Sequence, residues 1–198
     1  MAKIKICGLR RVEDIEMVNT YKPDYGGFII DFPKSFRSLD IEEVEKLTKQ
    51  LDPDIISVGV FVNEDNEVIR DLLTRKVIQM AQLHGQETEA DIQYLKSFGP
   101  IIKAFEIHNE EDLEKAAQSS ADYVLLDSGK GSGQTFNWQM IQAMDRAFFL
   151  AGGLDETNIE QAIQTVHPYA IDISSGVETN RVKDANKIRM CVQKGRKL

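Results

Sequence analysis

Cysteine is scarce in this chain of 198 residues, which holds only Cys7 and Cys191. Two thiols are too few for a disulfide scaffold and fit a reducing compartment, so the expected location is cytoplasmic. Long apolar runs are missing too. No stretch approaches the roughly 20 residues that cross a bilayer. Met1–Cys7 passes straight into a strand-like segment, without the apolar core of a signal peptide. No membrane partner is expected. Positive charge is in deficit: 24 Lys and Arg stand against 32 Asp and Glu, a formal charge of −8. Without a basic face, nucleic acid drops out as a ligand. Taken alone, the acidic balance also argues against an anionic substrate. The three histidines are scattered and no CxxC occurs, so no metal site is expected. What remains, 42% apolar and 28% charged, is an ordinary globular composition. Its length suits one domain, 1–198.

Short β-branched or apolar runs alternate with amphipathic ones. The strand candidates are Lys3–Cys7, Tyr25–Ile30, Ile55–Val62, Ile78–Leu83, Ile101–Phe105, Tyr123–Asp127, Phe148–Ala151 and Ala170–Ser174. Helical spacing follows each strand. It is clearest at Ile159, Ala162, Ile163 and Val166 behind Asn158, a residue type suited to N-capping. Ala185, Ile188, Cys191 and Val192 repeat the stripe, and Ile41, Val44, Leu47 and Leu51 do so more loosely. The segment after Ala90 is the weakest helix. Strand ends recur about every 21–24 residues, with one interval of about 32, and eight such units predict a closed (β/α)8 TIM barrel near minimal length. The long interval holds Asp31–Ser38, the second βα loop, and predicts a substrate contact or lid there.

Active sites of this fold sit at the C-terminal strand ends. Cys7 ends the first strand and could act as nucleophile, proton-transfer base or metal ligand, or could simply be a small buried hydrophobe. Asp127 ends the sixth strand candidate, where a desolvated carboxyl suits a general acid and an ordinary one caps the next loop. Arg37 offers a fork for a carboxylate. Gly152 and Gly153 follow the seventh strand, and Ser175 and Gly176 the eighth, where barrel enzymes place phosphate against backbone amides. Gly131, Ser132 and Gly133 could add donors. Three residues draw structural readings: His84 bonding its own turn, Lys103 as a structural lysine at the barrel's wet end more than a Schiff-base lysine, and Cys191 as core. Lys194, Arg196 and Lys197 are expected to complement a helix C-terminus.

In order along nearly the whole chain, the motifs resemble those of the phosphoribosylanthranilate isomerase family of tryptophan biosynthesis. They are Lys5-Ile6-Cys7-Gly8-Leu9, Pro33-Lys34-Ser35-Phe36-Arg37, Gly59-Val60-Phe61-Val62-Asn63, Gln82-Leu83-His84-Gly85, Leu125-Leu126-Asp127, Gly131 to Trp138, Ala151-Gly152-Gly153-Leu154, Asp172 to Glu178, and Lys183-Asp184. The resemblance implies an Amadori rearrangement of N-(5-phosphoribosyl)anthranilate, with no cofactor or metal and a small phosphorylated substrate as partner. It casts Asp127 as general acid and Cys7 as general base. Arg37 would hold the anthranilate carboxylate, and Gly131, Ser132, Gly133, Gly152, Gly153, Ser175 and Gly176 the phosphate. An acidic surface does not oppose this, because an arginine, backbone amides and helix N-termini can hold a dianion in a local cleft. The chain departs from the family at Lys130, where a glycine is usual, at Asp31, where apolar side chains are usual, and at Asn180-Arg181-Val182, where a glycine usually precedes Lys183. The outer helix faces show no apolar surplus that would favour a homodimer over a monomer.

Overall fold

The computed structural model describes residues 1–127, 138, 141 and 144–197. Its elements are β1 (Lys3–Cys7), α1 (Val12–Tyr21), β2 (Tyr25–Ile30), β3 (Ser38–Leu39), α2 (Ile41–Thr48), β4 (Ile56–Phe61), α3 (Asn66–Thr74), β5 (Met80–Leu83), α4 (Glu89–Leu95), β6 (Ile101–Glu106), α5 (Glu110–Gln118), β7 (Tyr123–Asp127), β8 (Phe148–Ala151), α6 (Ile159–Val166), β9 (Ala170–Ile173), β10 (Glu178–Thr179), β11 (Val182–Lys183) and α7 (Ala185–Lys197). Each of the eight barrel strands pairs in parallel with the next, and β1 pairs with both β2 and β9, so the ring closes. The expected (β/α)8 barrel is therefore the fold. Among the described residues no helix is long and apolar enough to cross a membrane.

Strand alternation sorts the side chains into two cores. Ile4, Ile6, Phe28, Ile30, Phe61, Leu83, Val124, Leu126, Leu150 and Ile171 face the helices. Tyr25, Val58, Met80, Ile102, Ala104, Leu125, Phe149 and Ala151 form the second cluster, inside the ring. Its floor is aromatic: Tyr123 stacks on Tyr169 at 4.9 Å, and the Tyr25 and Tyr169 hydroxyls meet at 3.2 Å. The barrel is thus plugged toward its N-terminal end.

Helix starts follow local chemistry. Asp40 and Glu43 form a reciprocal capping box at α2, and Thr88 and Asp91 do the same at α4, which buries Ile92 and Leu95. The long second βα loop folds back on the barrel as β3, in register with Ile29 and Ile30 of β2. Phe32 N–H donates to Ser38 Oγ at 2.8 Å, which fixes the loop and carries Arg37 to the barrel mouth. The hairpin β10–β11 was not apparent in the sequence. Its turn residues Asn180 and Arg181 both have positive φ, +53° and +63°.

Candidate active site

Cys7 and Asp127 stand at the C-terminal ends of β1 and β7, as barrel geometry requires. Cys7 is buried. A Cβ on Gly27 of β2 would lie 2.9 Å from the Cys7 sulfur and 3.2 Å from Lys5 Cε. Only glycine there leaves room for both side chains inside the ring. Lys5 is fully buried, and its Nζ donates to Asp172 Oδ1 at 3.0 Å across the β1–β9 register. Burial pulls the Lys5 ammonium down, but the Asp172 charge and then the Cys7 sulfur outweigh it and leave Lys5 above its ordinary value. Burial pushes the Cys7 thiol above its ordinary value, and the charges of Lys5 and Lys183 only partly oppose that rise. Asp127 lies close enough to His84 for its charge to act on that ring, yet burial dominates and keeps His84 below its ordinary value.

Arg37 crosses the mouth over Gly8, where a Cβ would come within 2.5 Å of its Cδ. Its Nε and Nη2 donate to Glu178 Oε1 and Oε2, both at 2.7 Å, and its guanidinium stacks on Phe36 at 4.1 Å. The expected carboxylate fork is therefore already held on one edge by the protein's own carboxylate. Lys183, also buried, donates to Cys7 O at 2.6 Å, Ser174 O at 2.9 Å and Glu178 Oε1 at 2.9 Å. One cation thus ties β1, β9 and the Arg37 loop together. Burial raises the Glu178 carboxyl, but Arg37 and Lys183 outweigh it and hold the group below its ordinary value.

The loops after β8 and β9 meet each other at this mouth. Gly152 and Gly153 take φ of +94° and +62°, and Ser175–Val177 form a short 3-10 turn. A Cβ on Gly176 would overlap the carbonyl oxygen of Leu154, so the two loops close on each other only with glycine there. Among the described residues, no loop hydrogen bond uses the N–H of Gly152 or Gly153. Gly131, Ser132, Gly133 and Lys130 lie outside the described residues.

Several expectations change. Asn158 stands at the N-cap of α6 as expected, but its side chain makes no cap bond: its Nδ2 donates to Gly153 O at 2.9 Å and its Oδ1 accepts from Asp155 N–H at 3.0 Å, bracing the glycine loop. His84 bonds Gln82, with Nδ1 2.9 Å from Nε2, and not its own turn. Gln82 Oε1 is buried with no partner among the described residues. Lys103 is structural as expected, donating to Gly85 O at 2.8 Å and Glu87 Oε2 at 2.7 Å. Cys191 sits in the core with its thiol pushed up to about 12 by burial. Lys194, Arg196 and Lys197 fall in the last turn of α7, as expected; Lys194 also donates to the Glu156 carbonyl at 2.8 Å, and Arg196 to the Lys22 carbonyl at the end of α1. Among the described residues no cluster of His, Cys, Asp and Glu could hold a metal. A cleft of about 370 Å³ bordered by Glu45, Arg75, Val77 and Gln79 lies near the opposite, N-terminal strand ends.

The roles of Lys5, Asp172, Glu178, Lys183 and Gln82 escaped the sequence reading. Strand parity is the signal that could have found Lys5, since it shares the inward face of β1 with Cys7. Glu178 meets Arg37 across 141 residues, and no local pattern announces such a pair.

A closed parallel barrel with a thiol, a carboxyl and two glycine-lined loops at one mouth defines a (β/α)8-barrel enzyme. The family model described as N-(5'-phosphoribosyl)anthranilate (PRA) isomerase matches residues 4–194. The N-(5'-phosphoribosyl)anthranilate isomerase of Thermoanaerobacter pseudethanolicus is 43% identical, over 99% of this chain and 98% of that one. The crystal structure of phosphoribosyl anthranilate isomerase from Thermotoga maritima superposes with a TM-score of 0.91 at 35% identity, covering 100% of both chains. A phosphoribosyl anthranilate isomerase in complex with reduced 1-(o-carboxyphenylamino)-1-deoxyribulose 5-phosphate gives 0.89 at 34% identity, again over 100% of both. This chain belongs to the N-(5'-phosphoribosyl)anthranilate isomerase family.

Proposed function

We infer that the chain, as one catalytic domain in the cytoplasm, carries out the Amadori rearrangement of N-(5'-phosphoribosyl)anthranilate in tryptophan biosynthesis. Asp127 is the general acid and Cys7 the general base. The observation that supports these roles is the convergence of both groups, Arg37 and the β8 and β9 loops on one barrel mouth. Asp127 protonates the furanose ring oxygen while the anthranilate nitrogen pushes its lone pair toward C1. The C1–O bond breaks and an iminium forms. That makes the C2 proton acidic, and the Cys7 thiolate removes it, the electrons returning to nitrogen as an enolamine. Proton transfer to C1, with loss of the proton on the C2 hydroxyl, then gives the ketone. Substrate and product are isomers, so no electrons leave the pair.

The second edge of Arg37, Nη1 with the remaining Nη2 hydrogen, receives the anthranilate carboxylate. Gly152, Gly153, Ser175 and Gly176 present backbone amides to the phosphate, with Gly131, Ser132 and Gly133 as further donors. Gln82 Oε1 accepts from a sugar hydroxyl. Loss of substrate fluorescence with purified protein measures turnover. Cys7→Ser and Asp127→Asn are expected to lower kcat by about 10²- to 10⁴-fold, the usual worth of a positioned acid or base. Wild-type rates in either variant would refute its role.

A further inference from the structure

A buried lysine is costly unless something inside the protein needs its charge. Lys5 lies two residues before Cys7 on the inward face of β1 and is fully buried. Its Nζ donates to Asp172 Oδ1 at 3.0 Å, and its charge acts on the Cys7 sulfur. Gly27 is the opening through which the lysine stem and the sulfur come side by side. The ion pair has no counterpart in the surrounding apolar barrel layer of Val58, Met80, Ile102 and Leu125.

We propose that Lys5 is a positioning residue for the isomerisation: its ammonium, clamped by Asp172, stands beside the Cys7 sulfur and stabilises the thiolate that takes the C2 proton. Asp172 fixes the ammonium while leaving two N–H bonds to spare, one of them for sulfur. A thiolate is a hydrogen-bond acceptor with full charge, so it gains far more from that donor than the thiol does. The other charges that act on the sulfur are Asp172 from β9, which repels a thiolate, and Lys183 from β11, which attracts it. Lys183 is committed to three oxygen acceptors, whereas among the described residues Lys5 has Asp172 as its one hydrogen-bond acceptor. The neighbouring strand β2 contributes only Gly27 at this point. The inference rests on the reading of Cys7 as the base.

The test separates the two claims. Cysteine labelled with 13C at Cβ reports thiol ionisation by NMR, with Cys7→Ser assigning the signal and Cys191 as the internal reference. Lys5→Met should move the Cys7 titration upward by about one pH unit or more, and kcat/KM at neutral pH should fall about tenfold per unit and recover as pH rises. Asp172→Asn should move the titration the other way, because it removes the repelling charge and keeps the cation. If Lys5→Met does not fold, the uncharged pair Lys5→Met with Asp172→Asn keeps the site neutral and should still shift the titration upward. A Cys7 titration unchanged by loss of the Lys5 charge would overturn the proposal, as would upward shifts in both single variants, the pattern of a merely structural pair. Should the titration move while the acid limb of kcat/KM stays in place, Lys5 controls the sulfur as stated and the assignment of Cys7 as base fails.

Discussion

Arg37 comes to the barrel mouth with half of its guanidinium already used. Nε and one Nη2 hydrogen hold Glu178, Phe36 covers one face, and the Nη1 edge remains for a ligand carboxylate. A lysine has no second edge. Arg37→Lys is therefore expected to raise KM by about 10- to 100-fold, the worth of roughly 1.5–3 kcal/mol for hydrogen bonds to a charged group, with a smaller effect on kcat. Steady-state kinetics on that variant check it, and an unchanged KM would remove Arg37 from the substrate. Glu178 serves the same network from the other side. Its removal leaves Lys183 buried without a carboxylate, so Glu178→Gln should cost about 3–5 kcal/mol at neutral pH. The pH dependence has a definite sign. The folded Glu178 carboxyl lies below its ordinary value, so its contribution is complete above the unfolded value of about 4.3 and fades as pH falls through the folded one. Melting temperatures taken stepwise from pH 6 to pH 3 should therefore fall more steeply for the wild type than for Glu178→Gln. Parallel slopes would mean that the carboxylate contributes nothing through its charge.

Elements were the most legible level of this chain, and the site's internal bonds the least. Buried strands announce themselves as apolar runs, so β1, β2, β7 and β8 begin and end where those runs do. Three strands are trimmed at their ends: Ile55, Val62, Ile78, Gln79 and Ser174 fall outside them, because a barrel strand lasts only as long as both neighbours pair with it. β6 instead gains Glu106, which pairs with Asp127. β3 and the β10–β11 hairpin were missed because two-residue strands carry no periodicity. Cys7, Asp127, Arg37 and the glycine loops could be placed from strand ends alone. What holds them could not, since Lys5 with Asp172 and Arg37 with Glu178 span 167 and 141 residues. Asn158 shows the same limit, its cap-like position hiding a brace on Gly153. The two glycine loops also differ in what they require. Gly153 has open space around a would-be Cβ but a left-handed φ of +62°, so Gly153→Ala should cost about 1–2 kcal/mol of strain. Gly176 has ordinary φ but no space, since its Cβ would overlap the Leu154 carbonyl and push the loops apart. Gly176→Ala should therefore cost more, and it alone should greatly weaken competitive inhibition by inorganic phosphate. Chemical denaturation and inhibition assays on the two variants test that order, and the reverse order would mean that the loops are not packed as described.

At the scale of the molecule, an anionic substrate meets a protein of net charge −8. Net charge governs the far field, but association is decided by the potential at the mouth. There the Phe36 ring collects three guanidiniums: Arg37 at 4.1 Å, Arg181 at 5.1 Å and Arg10 at 5.7 Å. They come from three separate loops, after β2, in the β10–β11 hairpin and after β1. Arg10 also donates to the Arg181 carbonyl at 3.3 Å, which joins two of the loops. Arg37 is neutralised by Glu178, whereas Arg10 and Arg181 have no carboxylate partner among the described residues. Their charge therefore remains available to a substrate carrying both carboxylate and phosphate. Cation–π contact with Phe36 offsets part of the cost of bringing like charges together. Such a rim should act on capture and not on chemistry. Replacing both Arg10 and Arg181 by Gln is expected to lower kcat/KM several-fold at low ionic strength and to leave kcat unchanged. The deficit should vanish near 1 M salt, where the Debye length shrinks to about 3 Å and the wild type loses its advantage. Equal salt slopes for the two proteins, measured with glycerol added to show that kcat/KM follows diffusion, would mean that the rim does not steer. A fall in kcat that persists in high salt would place one of these arginines on the bound substrate instead.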